Sequence, residues 1–466
     1  MRANKWFRSL SKSQQVCLIA LINALLMMVS LCGSGTAKMY IDSESYFKAW
    51  DNLCAGKLDL LRTPVYPIFV GVIRALVGAK FASAAIVIIQ YLIMVLAACC
   101  FYKIALYLCR STRIAYAVAI VFILSQWFIG YSQYMLTESL SVSGSIFLIY
   151  SVCKIYYENS RWHVLGFLWW TLFLIFIRPS FVYILPVFLV FWLLLSFTSR
   201  IKWKMAIGCL AAILISSASL LLYMYKFQQT YGVFSISIVS TFNQYVLARE
   251  GGYLDEKQTT NAELSNYVRD RKVESQPQKA QMLQDMYNPD NHTSALHTIN
   301  DLYVTEFWAA VELYGYPAVK ELVSNSMATN HRTVLMGMFK RLFFWANQPF
   351  NQILPSLQFR LIGFIVLPIA AIFYIFVQFK LLYLLLVVSC IIILYWLIKK
   401  RKIPYFFLLL FMLGTSSLIV TFAGAQAEYP RLMTPSIPIY MLMLAQLLSL
   451  LSVNAASIRK SGRGLK

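Results

Sequence analysis

Charged residues are scarce in this sequence. Asp, Glu, Lys and Arg make up 13% of its 466 residues, whereas hydrophobic residues make up 59%. About a quarter of the residues in a soluble domain are charged. Some stretches, such as Met205–Leu222, lack charge altogether, and roughly 20 apolar residues are enough to cross a bilayer. The composition therefore excludes a soluble globular protein and predicts an all-α polytopic membrane protein.

Acidic residues are also fewer than basic ones, 19 against 41, which gives a formal net charge of +22. In a soluble protein this excess would point to nucleic acid. Here the basic residues lie in short clusters between hydrophobic runs, as expected for the cytoplasmic loops of a membrane protein. We therefore predict a lipid bilayer as the surroundings of the chain and no nucleic-acid partner.

The sequence lacks the residue spacings of metal and nucleotide sites. It contains no Cys-x-x-Cys, and most of its nine cysteines lie in or beside apolar runs. His292 and His297 are spaced wrongly for one helix face. A glycine-rich phosphate loop is missing as well. We predict no metal, no cofactor and no soluble nucleotide-sugar site.

The basic clusters predict the topology. If each apolar run crosses once, the basic loops all fall on the cytoplasmic side. The first run, Val16–Leu31, follows four basic residues and is not ended by a clean cleavage site, so we predict an uncleaved first helix. The predicted cytoplasmic loops carry Arg110, Arg113, Lys154, Arg161, Arg200, Lys202 and Lys204.

Polar stretches divide the chain. The pattern predicts an N-terminal transmembrane module at 1–225 with an external loop at 35–80, an extracytoplasmic helical region at 226–330, and a C-terminal transmembrane module at 331–466. The basic loop at 399–402 and the tail at 459–466 are both cytoplasmic if residues 334–350 also cross. A flat interfacial helix is the alternative there. We expect a bundle of about eleven or twelve transmembrane helices.

A few charged residues fall next to helix ends on the predicted external side. Charge at mid-membrane costs roughly 2.5–3.5 kcal/mol, so charged residues near it are functional candidates. The candidates are Asp42, Glu44, Glu138, Arg178, Glu428 and Arg431. All but Glu428 have a structural alternative: solvated loop residues for the first two, a helix cap for Glu138, and lipid-facing side chains for the arginines.

These residue types suit one kind of chemistry. A carboxylate beside a hydroxyl can take its proton as a general base. An arginine at a membrane surface matches the oxygens of a lipid phosphate with its planar fork. Together they describe sugar transfer from a polyprenyl-phosphate donor, with a base for the acceptor and a cation for the leaving phosphate.

The first external loop contains Asp42-Ser-Glu-Ser-Tyr46 and then Arg62-Thr-Pro-Val-Tyr66-Pro67. It resembles the first loop of the GT-C fold membrane glycosyltransferases, the superfamily of protein mannosyltransferases and lipid A aminoarabinose transferases. Three further landmarks follow in the family's order: Thr137-Glu138, Arg178-Pro179 and the stretch from Glu428 to Pro435. In that stretch Pro430 departs from the family's spacing, and Ser43 separates the two acidic residues that the family often has side by side.

The resemblance implies a GT-C-like helical bundle with Asp42 as the catalytic base, and it leaves open whether Glu44 shares that role. It also implies a set of substrate-binding residues. These are Tyr46, Arg62, Tyr66, Glu138, Arg178, Glu428 and Arg431.

The expected activity is inverting transfer of a sugar from a polyprenyl-phosphate-sugar donor to an extracytoplasmic glycan, lipid or protein acceptor. We expect a bacterial cytoplasmic membrane, an active site on its outer side, and a role in cell-envelope polysaccharide biosynthesis. Two alternatives stay open. One is an O-antigen polymerase or ligase, whose donor and acceptor are both lipid-linked. The other is a transporter or flippase, which favours charges within helices and broken helices in matching halves.

Overall fold

The computed structural model describes residues 10–34, 37, 39, 42–109, 111–125, 131–198, 201–286, 292–344, 381–399, 404–424 and 432–461. The regular secondary structure of this part of the chain is helical throughout. Six of its helices are long and apolar enough to cross a membrane, and five shorter apolar helices accompany them. The predicted all-α polytopic membrane class is confirmed.

The first helix, α1 (Lys12–Ser34), is followed by two short helices, α2 (Ser43–Cys54) and α3 (Val65–Val77), before the long α4 (Ala79–Leu108). The sequence predicts residues 35–80 only as an external loop, but much of this stretch is helical. At about 1.5 Å per residue, α3 extends roughly 20 Å, which is too short to cross a hydrocarbon core of roughly 30 Å.

Helices α2 and α3 pack against each other at a glycine. A Cβ atom on Gly71 of α3 would lie 2.0 Å from the Trp50 ring of α2. The absence of a side chain at Gly71 therefore sets how closely the two helices approach. On α2, the buried residues Ser43, Tyr46 and Ala49 recur at three-residue spacing, so one face of this helix is turned inward.

The centre of the bundle is built from helices in chain order. They are α5 (Thr112–Ile123), α6 (Glu138–Glu158), α7 (Trp162–Ile177), a 3₁₀ turn (Pro179–Tyr183), α8 (Ile184–Ser196) and α9 (Trp203–Tyr231). Helix α6 is the most buried of the six candidate spans, since 78% of its apolar segment lies inside the protein. It packs against α4 and α7 and against a 3₁₀ turn at Thr434–Ser436.

Helices α6 and α7 form a hairpin whose two ends differ chemically. At the closed end, Lys154 forms an ion pair with Glu158 at 2.7 Å, and the Asn159 side chain accepts a hydrogen bond from the Lys202 backbone at 3.2 Å. Glu138 and Arg178 lie at the open end. Two of the predicted basic loops therefore meet at one end of the bundle, which we call the basic end. The opposite end, which carries Glu138 and Arg178, is called the site end.

The end of α9 and the residues after it form a second hydrophobic core, separate from that of the bundle and built from buried residues between Phe227 and Val334. We call residues 227–334 the helical unit. Its helices are α10 (Val239–Glu250), α11 (Ala262–Met286), α12 (His292–Tyr314) and α13 (Tyr316–Thr329). Its interior contains a buried ion pair, Arg249 with Glu306 at 2.8 Å, and the Tyr245 hydroxyl donates to the same carboxylate at 2.6 Å.

The chain continues through α14 (His331–Phe344), α15 (Leu381–Lys399), α16 (Tyr405–Gly424) and α17 (Ile437–Ser461). Residues 345–380 lie outside the described part. They include the end of the segment 334–350, whose crossing would make the number of crossings twelve instead of eleven. Both the crossing number and the predicted domain boundaries stay predictions.

Candidate functional site

Asp42 is the residue that precedes α2, and its side chain forms an ion pair with Arg62. The Arg62 Nη2 atom lies 2.6 Å from Asp42 Oδ1, and the two side chains are 16% and 29% exposed. The Asp42 carbonyl accepts a hydrogen bond from the Ser45 hydroxyl at 2.6 Å. The predicted base is thus partly open to its surroundings and is held from one side by a cation.

Arg62 contacts the same face of α2 through three of its nitrogens. Besides Asp42, Nε donates to the Ser45 hydroxyl at 2.7 Å, and Nη1 donates to the Tyr46 hydroxyl at 3.4 Å. Its guanidinium carbon lies 4.5 Å from the centre of the Tyr46 ring, within cation–π range. These contacts hold the Arg62 side chain in place, and Arg62 in turn holds the Asp42 carboxylate.

The backbone before Arg62 is shaped by Asp59, a residue that the sequence analysis does not single out. Asp59 Oδ1 accepts hydrogen bonds from the backbone N–H groups of Leu61 and Arg62, at 2.9 and 2.7 Å. Its Oδ2 accepts one from the Asn52 side chain at 2.8 Å. An aspartate that bonds its own downstream backbone in this way stabilises a turn.

Tyr46 and Tyr66 connect this ion pair to the interior of the bundle. Their rings meet edge to face at 4.6 Å, and the Tyr66 hydroxyl donates to Gln90 of α4 at 3.0 Å. Burial raises the pKa of the Tyr66 hydroxyl, and neighbouring Tyr46 and Glu138 raise it further. Tyr66 therefore stays neutral and can act as a hydrogen-bond donor.

Gln90 joins α4 to the chain segment that leads into α6. Its side-chain nitrogen donates to the backbone carbonyls of Ser132 and Tyr134, each at 3.0 Å. The Ser43 hydroxyl at the start of α2 reaches the same segment and donates to the Met135 carbonyl at 3.0 Å. Asp42 and Glu138 therefore lie at the same end of the bundle. Gln90 is not among the residues predicted from the sequence, although a polar residue inside an otherwise apolar run could have indicated this contact.

Glu138 opens α6, and Arg178 ends α7. Pro179 cannot donate the backbone hydrogen bond that a continuing helix needs, and the backbone of Arg178 is extended, with φ of −147°. Arg178 Nη1 lies 3.6 Å from Glu138 Oε1; the glutamate side chain is fully buried and the arginine side chain is 12% exposed. Nη1 is buried and makes no hydrogen bond to any described residue.

Two serines extend the polar face of α6 inward from Glu138. Ser141 and Ser145 follow it at helical spacing, and they are 0% and 3% exposed. Their hydroxyls have no hydrogen-bond partner in the described part of the chain. Neither serine is among the residues predicted from the sequence, because serine is common where membrane helices pack together.

The structure brings together Asp42, Tyr46, Arg62 and Tyr66, and it places the Glu138–Arg178 pair at the same end of the bundle. Glu44 is exposed on α2, two positions from Asp42 and so on another side of the helix. Glu428 and Arg431 lie outside the described residues. Within the described ranges, no three His, Cys, Asp or Glu side chains are grouped as metal ligands would be.

No protein-family model matches the sequence, and no curated protein matches it. Among solved structures, the chain is similar to the crystal structure of the Archaeoglobus fulgidus oligosaccharyltransferase in the apo form. The sequence identity is 13% and the TM-score 0.48, over 97% of this chain and 52% of that one.

A second similar structure is the same oligosaccharyltransferase tethered with an acceptor peptide containing the NVT sequon via a disulfide bond. It has 13% identity and a TM-score of 0.47, over 94% of this chain and 50% of that one. The chain spans about half the length of these proteins. Both TM-scores are below 0.5, and the likeness assigns no residue of this chain a role.

Proposed function

We propose that this protein is a GT-C-type membrane glycosyltransferase that moves a sugar from a polyprenyl-phosphate carrier to an extracytoplasmic glycan, lipid or protein acceptor. One observation supports this most strongly. Two acid–arginine pairs, Asp42 with Arg62 and Glu138 with Arg178, lie at one end of a helical membrane bundle. They provide the two functions that the reaction needs, a proton acceptor and a cation for a phosphate.

Asp42 would take the proton from the acceptor hydroxyl. The acceptor oxygen then attacks the anomeric carbon of the sugar from the side opposite the phosphate. A new glycosidic bond forms while the bond from the anomeric carbon to the phosphate oxygen breaks, and polyprenyl phosphate leaves with the electron pair. Attack from the opposite side inverts the anomeric centre. Arg62 orients Asp42 during the proton transfer.

Arg178 is the residue best suited to hold the phosphate. It is largely buried, and its Nη1 is not hydrogen-bonded to a described residue, so a phosphate oxygen can complete its hydrogen bonding. Glu138 keeps the guanidinium in place and positions the sugar or the acceptor. Arg431 and Glu428 would add to this site, and the carrier lipid would reach it laterally from the bilayer.

The test is a transfer assay with the purified protein in lipid nanodiscs. Synthetic polyprenyl-phosphate sugars with a radiolabelled sugar serve as donors, and glycans and lipids from a bacterial cell envelope serve as acceptors. We expect a labelled product with inverted anomeric configuration and release of polyprenyl phosphate. Arg178→Lys is the matched variant, because it keeps the charge and removes the fork.

Two results would favour the alternatives. Movement of the labelled donor across a liposome membrane, without a new glycosidic bond, would identify a flippase. Transfer restricted to an acceptor that is itself carried on polyprenyl diphosphate would identify a polymerase or ligase. Absence of both transfer and movement with every donor would refute the proposed function.

A further inference from the structure

The segment between α2 and α3 contacts the helical unit as well as the site. The Leu58 carbonyl accepts a hydrogen bond from the Tyr231 hydroxyl at 2.5 Å, and the Leu60 carbonyl accepts one from the Ile238 backbone at 3.0 Å. The side chains of Leu58, Leu60 and Leu61 pack against the core of the helical unit. We call residues 58–62 the strap.

The last residue of the strap, Arg62, binds Asp42, with Arg62 Nη2 at 2.6 Å from Asp42 Oδ1. The strap lies between helices and has no helical hydrogen bonds of its own. Its position depends on the turn formed by Asp59 and on the two bonds from Tyr231 and Ile238, together with the leucine packing and the contacts of Arg62. Arg62 therefore lies two residues after Leu60 and four after Leu58, the two strap residues that bond to the helical unit.

We propose that the helical unit positions the catalytic base through the strap, and that Tyr231 is a positioning residue for Asp42. This rests on the proposed function, since it takes Asp42 to be the base. The Tyr231 hydroxyl bonds to the Leu58 carbonyl and acts on Arg62 and Asp42 through the strap backbone. Catalytic groups are sensitive to such placement, because a shift of about 1 Å can cost on the order of 100-fold in rate.

The first test compares two tyrosines of α9. Tyr231→Phe removes the bond to Leu58 but keeps the ring, which packs against Phe227 at 4.8 Å. Tyr225→Phe is the control, because Tyr225 is 52% exposed and its hydroxyl makes no hydrogen bond to a described residue. We expect kcat to fall about 3- to 10-fold in Tyr231→Phe, as for loss of one hydrogen bond. The KM for the donor should not change in Tyr231→Phe. The kcat of Tyr225→Phe should equal that of the unmodified protein.

The same two substitutions are then made in an Arg62→Gln background. If Tyr231 acts through Arg62, the difference between Tyr231→Phe and the background should disappear, because coupled residues are not additive. An equal loss of kcat in both backgrounds would mean that Tyr231 affects the reaction by another route, and it would overturn the proposal.

A second readout does not depend on activity. The amide hydrogens of Leu61 and Arg62 are bonded to Asp59, so their exchange with solvent reports the order of the strap. We expect faster exchange in Tyr231→Phe than in the unmodified protein, and unchanged exchange in Tyr225→Phe. Unchanged exchange in Tyr231→Phe would overturn the proposal. If the protein transfers no sugar but exchange rises as expected, the positioning of Arg62 stands and the proposed function fails.

Discussion

Arg178 Nη1 lies 3.6 Å from Glu138 Oε1, at the open end of a helical hairpin, and the glutamate side chain is fully buried. This separation is too long for a hydrogen bond and short enough for charge compensation. The pair therefore neutralises a carboxylate inside the protein while leaving donor capacity on the arginine. An arginine that only extends to lipid headgroups would need neither feature.

We predict that Arg178→Lys loses most of the transfer activity but accumulates normally and unfolds near the normal temperature. Lysine keeps the charge that compensates Glu138, but it lacks the planar fork that matches phosphate oxygens. In Arg178→Ala the buried carboxylate loses its partner, which typically costs about 3–5 kcal/mol, so stability should fall as well. Activity and thermal unfolding are measured on the same purified samples. Full activity in Arg178→Ala would assign this residue to lipid contact instead.

We predict that Asp42→Asn lowers turnover by roughly 10²–10⁴-fold, the usual contribution of a general base. Asparagine keeps the shape and a hydrogen-bond acceptor for Arg62 but cannot take the proton. Donor binding should change little, which a kcat and KM comparison shows.

Glu44→Gln is the internal control, because Glu44 is exposed on the helix that Asp42 precedes. We expect near-normal turnover in this variant. If Asp42→Asn is active and Glu44→Gln is inactive, the base is Glu44. If both are active, the proposed mechanism is wrong.

We predict that Gly71→Ala destabilises the site end of the protein. The new Cβ would lie 2.0 Å from the Trp50 ring, so α2 or the ring has to move, and overpacking of this kind typically costs about 1–3 kcal/mol. Because α2 begins directly after Asp42, turnover should fall together with the unfolding temperature. Val72→Ala, at a position that is 43% exposed, should affect neither. A Gly71→Ala protein with normal stability and turnover would contradict the close packing of α2 on α3.

Reporter fusions test the topology, whose prediction depends only on the charges of the loops. We predict that fusions at Ser111, Arg200 and Arg401 report the cytoplasm. Fusions at Asn52, Gln258 and Ala425 should report the outside. An external signal at Arg401 would contradict twelve crossings and favour eleven.

Much of the helical fold is predictable from the sequence because apolar runs and basic clusters alternate along it. The apolar stretches Val16–Leu31 and Met205–Leu222 lie within α1 and α9. The helices α2 and α3 were not predicted as helices. Polar and apolar residues are mixed in α2, whereas α3 is apolar but too short to cross the membrane, so neither has the pattern of a spanning run.

Asp42, Glu138 and Arg178 could be selected because charge beside an apolar run is unusual. Tyr46, Arg62 and Tyr66 were selected only through the resemblance to the GT-C family. Which acid pairs with which arginine could not be predicted, since Asp42–Arg62 and Glu138–Arg178 are tertiary contacts. Asp59 was missed for a similar reason. From the sequence alone, Asp59 cannot be distinguished from an ordinary loop aspartate. Its bonds to the backbone of Leu61 and Arg62 are seen only in the structure.

The placement of Glu138 and Arg178 on the two arms of one hairpin has a consequence for biosynthesis. Glu138 leaves the ribosome before Arg178, so α6 alone would carry an uncompensated carboxylate at the edge of the bilayer. If α6 and α7 enter the membrane together, the carboxylate gains its arginine during insertion, before the helical unit or the C-terminal helices have been synthesised. The ion pair would then favour insertion of the hairpin as a unit, well before it holds any substrate.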